Sequence, residues 1–183
     1  MKSAILVIDM LSDFFLDKPM LNEKESLVKN INSLTKTARS KQIPIFFIRQ
    51  EFLPDLSDAY YFMKKRKEYT TIKGTDGCAF VNGLVTEKTD HIITKKRFSA
   101  FFKTNLLSKL NKLGIDTLII TGIFSHACVR QTTIDAYQLD FNPILAKECI
   151  SSWDKKHQKV TLDYLNLGLM IPLLSNSAIK RRI

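Results

Sequence analysis

Three residue types that carry out acyl transfer stand at comparable points along the chain: Asp9, Lys95 and Cys128. Each closes or follows a short apolar run that reads as a strand: 4–8 before the aspartate, 91–94 before the lysine, and 117–121 before Gly122-Ile-Phe-Ser-His-Ala-Cys128. A thiol is a weak nucleophile until ionised, and a helix N-terminus or a nearby cation lowers its pKa. A helix starting near Cys128 and the ammonium of Lys95 supply both, so a lowered thiol pKa is expected. An aspartate in reach can take the thiol proton and later hand it to a leaving amine. The backbone amides of Ala127 and Cys128, at the start of that helix, are the expected holders of an oxyanion. Each residue also has an ordinary reading, because an isolated buried cysteine usually packs as a small hydrophobe and an aspartate often caps a turn.

These groups can meet only if the strands lie side by side with their carboxyl ends on one rim. The run 4–8 is aliphatic without alternation, as in a parallel strand covered on both faces. Residues 23–41 then carry Leu27, Ile31, Leu34 and Ala38 at the spacing of an amphipathic helix. The unit repeats: strands at 44–48, 91–94, 117–121, 143–146 and 170–174, and helices at 106–113, 127–139 and 155–167. Strands alternating with helices predict an α/β fold, a three-layer α/β/α domain with a mainly parallel, doubly wound sheet. In such sheets ligands bind beyond the carboxyl ends of the strands, where the aspartate, lysine and thiol are expected. Residues 1–183 are read as one domain, with 50–77 as a long loop, lid or subunit-contact insertion holding one short helix over 58–67.

Composition narrows the function classes. The net charge of +10 comes from 28 basic and 18 acidic residues, densest at Lys64–Lys67, Lys95–Arg97 and Lys180–Arg182. No nucleic-acid-binding motif accompanies it, so solvated lysines or attraction of an anionic substrate are preferred to nucleic-acid binding. The apolar runs are too short for a membrane span and the N-terminal segment lacks a cleavage pattern. Three widely spaced cysteines do not suit a disulfide framework. A cytoplasmic protein acting on a small molecule is expected, with no membrane or nucleic-acid partner. His91 and His157 have no ligand-spaced partners, so neither a metal nor a cofactor is expected. Phe14, Phe98 and Phe124 are candidates to line an apolar pocket, with core packing as the competing role. Arg130 could recognise a carboxylate with its planar fork, or be an ordinary surface helix residue.

Three segments in order, Ile5-Leu-Val-Ile-Asp-Met-Leu-Ser-Asp-Phe14, Thr94-Lys-Lys-Arg-Phe-Ser-Ala-Phe-Phe-Lys-Thr-Asn-Leu106 and Thr121-Gly-Ile-Phe-Ser-His-Ala-Cys-Val-Arg-Gln-Thr-Thr-Ile-Asp-Ala-Tyr137, resemble the signature blocks of isochorismatase-like cysteine hydrolases. The resemblance implies a catalytic triad of Asp9, Lys95 and Cys128, with Lys96 as the fallback lysine. It implies cleavage of an amide or ureido carbon to nitrogen bond through a thioester. It also implies a cis peptide between Ile123 and Phe124, and a dimer or tetramer. Nicotinamidases of this superfamily hold a metal with an aspartate and histidine cluster after the second strand, whereas here Arg49-Gln-Glu-Phe-Leu-Pro-Asp55 has no histidine. Isochorismatases, which cleave a vinyl ether, generally have a small residue where Cys128 stands, so amide chemistry leads and vinyl ether hydrolysis is the runner-up. His126 invites a cysteine and histidine dyad, but the resemblance gives the base to aspartate and leaves His126 as a pocket or turn residue. A non-catalytic small-molecule binding protein on the same scaffold is the alternative from another class.

Overall fold

A computed structural model of the chain describes residues 2–183. Six strands, β1 (Ser3–Ile8), β2 (Ile45–Gln50), β3 (His91–Lys95), β4 (Thr117–Gly122), β5 (Asn142–Ile150) and β6 (Leu173–Leu174), form one sheet in the order β3-β2-β1-β4-β5-β6. Every neighbouring pair of these strands is parallel. The helices are α1 (Met20–Ser40), α2 (Tyr61–Arg66), α3 (Leu106–Lys112), α4 (Arg130–Gln138), α5 (Lys155–Asp163) and α6 (Asn176–Arg182).

The unbroken apolar run of β1 follows from burial on both faces. Ala4, Leu6 and Ile8 point into one core layer with Leu106 and Leu110 of α3 and Ala136 of α4. Ile5 and Val7 point into the opposite layer with Leu27, Ile31, Leu34 and Ala38 of α1 and Ile179 of α6. Side chains alternate faces along a strand, so an all-apolar strand needs a helix layer on each side. The chain winds outward from β1 through β2 to β3, then returns to place β4 on the other flank of β1. Asp9 follows β1 directly, beside this change of direction.

Several boundaries differ from the sequence reading. α1 starts at Met20, before the expected position 23, and β5 runs on to Ile150, past the expected end at 146. The expected helix over 127–139 opens with a π turn, Ser125–Val129, and the one over 155–167 closes with another, Tyr164–Gly168. The last strand shrinks to Leu173–Leu174, and α6 was not expected, because its basic end, Lys180–Arg182, hides the single buried anchor Ile179.

The 50–77 segment carries a small core of its own. Phe52, Leu56, Ala59, Met63 and Ile72 pack together, with Tyr60 against them. Lys96 Nζ lies 2.8 Å from Asp58 Oδ2, and Arg97 donates to the Asp58 carbonyl at 2.8 Å. The segment is thereby tied to the residues that immediately follow β3.

Candidate active site

Asp9 leaves β1 with φ +52, a left-handed conformation that aspartate tolerates better than most side chains. Its N–H donates to the Ile48 carbonyl at 3.0 Å, and its Oδ1 accepts the Gln50 N–H at 2.9 Å. The carboxylate is thus fixed across the ends of β1 and β2. Lys95, the last residue of β3, reaches over β2 and brings Nζ to 2.7 Å from Asp9 Oδ2, with side-chain exposures of 0% and 1% for the lysine and aspartate. The same ammonium donates to Cys128 Sγ at 3.4 Å and to the Arg97 carbonyl at 3.1 Å. Asp9 Oδ2 has no hydrogen bond beyond this ion pair among the described residues. Lys96, one residue further and therefore on the opposite side of the strand, turns away to Asp58.

Cys128 is carried in by the end of β4. Gly122 has φ +106, and a Cβ there would stand 2.0 Å from the Ile8 carbonyl oxygen. Only glycine lets β4 close on β1 this tightly and turn toward the site. The next peptide, Ile123 to Phe124, is cis. The thiol is buried and lies 3.4 Å from the Lys95 ammonium, which is itself paired with Asp9.

The electrostatics correct one expectation. Burial pushes the Cys128 thiol up to about 12; Lys95 pulls it down, but Asp9 offsets part of that pull. Desolvation by itself disfavours the ammonium of Lys95, yet the neighbouring Asp9 and Cys128 hold its pKa above the ordinary lysine value. The resting site is a carboxylate and ammonium ion pair beside a neutral thiol. A lowered thiol pKa was expected because a helix N-terminus and a cation favour the thiolate. Full burial next to a carboxylate outweighs both.

The expected pair of oxyanion donors also changes. The N–H groups of Ala127 and Val129 both donate to the Phe124 carbonyl, at 3.0 and 3.2 Å, closing the π turn. The Ala127 amide is therefore engaged in the backbone, which the expectation of an open helix start had missed. Among the described residues the N–H of Phe124 has no hydrogen-bond partner, and Phe124 lines the same cavity as Cys128.

That cavity, of about 410 Å³, draws half of its wall residues from aromatic side chains: Phe14, Tyr60, Phe62, Phe98, Phe124 and Trp153. Phe14 meets Phe124 edge-on at 5.2 Å between ring centroids, and Tyr60 stacks on Phe98 at 4.7 Å. All three phenylalanines singled out from the sequence lie here. Gln50, Tyr60, Phe62 and Trp153 were not singled out. Gln50 extends β2 by two residues beyond the expected strand end, and Tyr60 and Phe62 sit in the segment without a clear period. Trp153 is the chain's one tryptophan, a signal that could have been weighed. Desolvation raises the Tyr60 hydroxyl well above the ordinary tyrosine value, so it stays protonated and donates to Gln50 Oε1 at 3.3 Å.

His126 bonds away from Asp9, Lys95 and Cys128. Its Nδ1 lies 2.6 Å from Ser152 Oγ, its ring stacks against Phe124, and it lines a neighbouring cavity with Arg130. At the end of β2, Arg49 Nη2 is 3.4 Å from Glu51 Oε2, so the carboxylate of this stretch is engaged in an ion pair.

Residues 3–176 match the model of the isochorismatase domain family. An Arabidopsis thaliana protein described as a probable inactive nicotinamidase is 34% identical over 183 residues, covering 94% of this chain and 92% of the relative. A probable isochorismatase of Pseudomonas chlororaphis is 28% identical, over 88% of this chain and 77% of its own length. The crystal structure of an isochorismatase family protein from Desulfovibrio vulgaris superposes with a TM-score of 0.90 at 25% identity, covering 98% of this chain and 97% of that one.

Proposed function

Because the chain belongs to the isochorismatase family, whose members include hydrolases, we propose that it is a cysteine hydrolase that cleaves the carbon to nitrogen bond of a small amide or ureide. The observation that carries this reading is the buried contact set: Lys95 Nζ 2.7 Å from Asp9 and 3.4 Å from Cys128 Sγ. An inactive descendant has no need to keep an ammonium, a carboxylate and a thiol together out of water, an arrangement that costs several kcal/mol of desolvation.

The chemistry follows from the resting charges. The substrate carbonyl carbon comes to Sγ with its oxygen toward the N–H groups of Phe124 and Cys128. As the sulfur to carbon bond forms, the thiol proton passes to Asp9, and Lys95 stabilises the sulfur while it is negative. Asp9 then gives that proton to the amide nitrogen, the carbon to nitrogen bond breaks, and ammonia or an amine leaves a thioester on Cys128. Water attacks the thioester carbonyl and gives its proton to Asp9, the carbon to sulfur bond breaks, and the proton returns to the sulfur. A raised thiol pKa suits this cycle, because the nucleophile is ionised only when Asp9 takes its proton.

The test is ammonia release from a panel of small amides and ureides, with isochorismate as the vinyl ether arm. Turnover of at least one amide or ureide, lost in Cys128→Ser, is expected. Turnover of isochorismate alone would replace this reading with the vinyl ether one. Tight ligand binding without turnover of any probe would favour a binding protein.

A further inference from the structure

The cavity at Cys128 has a neighbour. A second cavity, of about 610 Å³, shares Phe62, Phe98, Phe124, Ala127 and Trp153 with the first. The five shared wall residues make the two cavities direct neighbours, together far larger than a carboxamide group needs. Their polar linings differ. The inner cavity has Glu68 as its charged side chain and no basic residue in its lining. The outer one holds His126, Arg130 and Gln131 and no carboxylate.

Arg130 is the free charge in this outer part. It is exposed, and among the described residues it has no ion pair. Its guanidinium carbon lies 5.3 Å over the ring of Tyr164, a cation-π contact that uses none of its N–H groups. His126 is held by Ser152, and burial keeps its pKa below the ordinary histidine value, so Arg130 is the permanent positive group of the outer cavity at neutral pH. Asp154, two residues after His126's partner Ser152, is bonded to His157 Nδ1 at 2.6 Å and caps α5.

We propose that the substrate is a flat, largely apolar amide with a carboxylate at its far end, which Arg130 grips in the outer cavity while the amide carbon rests on Cys128. This rests on the hydrolase reading above. The aromatic walls accept a planar ring, and a planar guanidinium pairs with a carboxylate through two parallel N–H to oxygen bonds. The products are then ammonia and a dicarboxylate.

The experiment compares two probes of nearly equal size, 4-carbamoylbenzoate and its methyl ester, with the full-length protein. A charge-assisted bond of this kind gives the acid a kcat/KM roughly tenfold to a hundredfold above the ester. Arg130→Ala brings the ratio close to one, and Arg130→Lys keeps part of it. Lys112→Ala, which removes one exposed charge elsewhere, leaves the ratio where it was. A wild-type ratio of one or less overturns the proposal, as does a ratio that survives Arg130→Ala or falls equally in Lys112→Ala. If neither probe is hydrolysed, calorimetric binding decides the inference separately from the catalytic reading. Tighter binding of the acid than of the ester, lost in Arg130→Ala, supports it, and equal binding of both overturns it.

Discussion

The buried Asp9 and Lys95 pair makes a quantitative prediction about stability. Their charged atoms are 2.7 Å apart and both side chains are sealed from solvent, which at an effective dielectric of about 20 corresponds to about 6 kcal/mol of attraction. Most of that attraction offsets the desolvation of the two ions, so the pair as a whole contributes little net stability. Removing one partner is different, because it leaves the other ion buried alone. Asp9→Asn and Lys95→Met should each lower the free energy of unfolding at pH 7 by about 3 to 5 kcal/mol, whereas the double variant should lie within about 2 kcal/mol of the wild type. Urea unfolding of all four proteins measures this directly. The predicted coupling is therefore several kcal/mol. A coupling below about 1 kcal/mol would mean that the two groups do not face each other as a buried ion pair, and the reasoning would fail. All three variants should be inactive, so stability returns in the double variant without activity.

Other outcomes follow from the same geometry. With its pKa raised to about 12, Cys128 in the free protein should react with iodoacetamide far more slowly at pH 7.5 than a free thiol, and the rate should climb through pH 9 and beyond; a fast plateau near neutral pH would contradict the burial argument. Cys128 and Cys149 both have pKa values raised by burial from an ordinary 9.0 to about 12, so native thiols keep their protons where unfolded ones lose them. Their stabilising contribution is complete below about pH 9 and should be lost as pH rises toward 12, at up to about 1.4 kcal/mol per pH unit for each thiol, as urea titrations at pH 8, 9 and 10 would show. Gly122→Ala meets the Ile8 carbonyl oxygen at 2.0 Å and should cost at least about 2 kcal/mol with a large drop in melting temperature; an unchanged melting curve would show that the two strand ends are not in contact. Asp58→Ala removes the ion pair with Lys96 and an acceptor of the Leu53 N–H, so proteolysis within 53–70 should speed up severalfold, and an unchanged cleavage rate would show that this tie does not hold the segment.

The alternation of strands and helices was legible because period and burial are linked. The unalternated run 4–8 read as a strand covered on both faces, and the stripe Leu27, Ile31, Leu34 and Ala38 read as a one-sided helix. The convergence of Asp9, Lys95 and Cys128 was likewise legible, since Asp9 and Lys95 stand at strand ends and Cys128 in the turn that follows β4 on the same rim. What the sequence hid depends on three-dimensional context. Whether a cysteine at a turn is activated or suppressed is decided by solvent exclusion, which no spacing reveals; here burial reversed the expected shift. The π turn over Ser125–Val129 has no local signature and redirected the Ala127 amide. Tyr60 and Phe62 reach the cavity because the 50–77 segment folds on its own small core, a long-range packing choice. The short helix α6 rests on one apolar anchor, Ile179, too little to show as a period.

The central claim is that Cys128 bonds covalently to the acyl group while Asp9 and Lys95 manage the proton and the charge. It is tested most directly by rapid acid quenching of the protein during turnover of an amide, followed by intact-mass and peptide mass spectrometry. The expected result is an increase equal to the substrate minus ammonia, mapped to Cys128, removed by hydroxylamine, and absent in Cys128→Ser and Asp9→Asn. Steady ammonia release without an adduct on Cys128, or release that continues in Cys128→Ser, would contradict it.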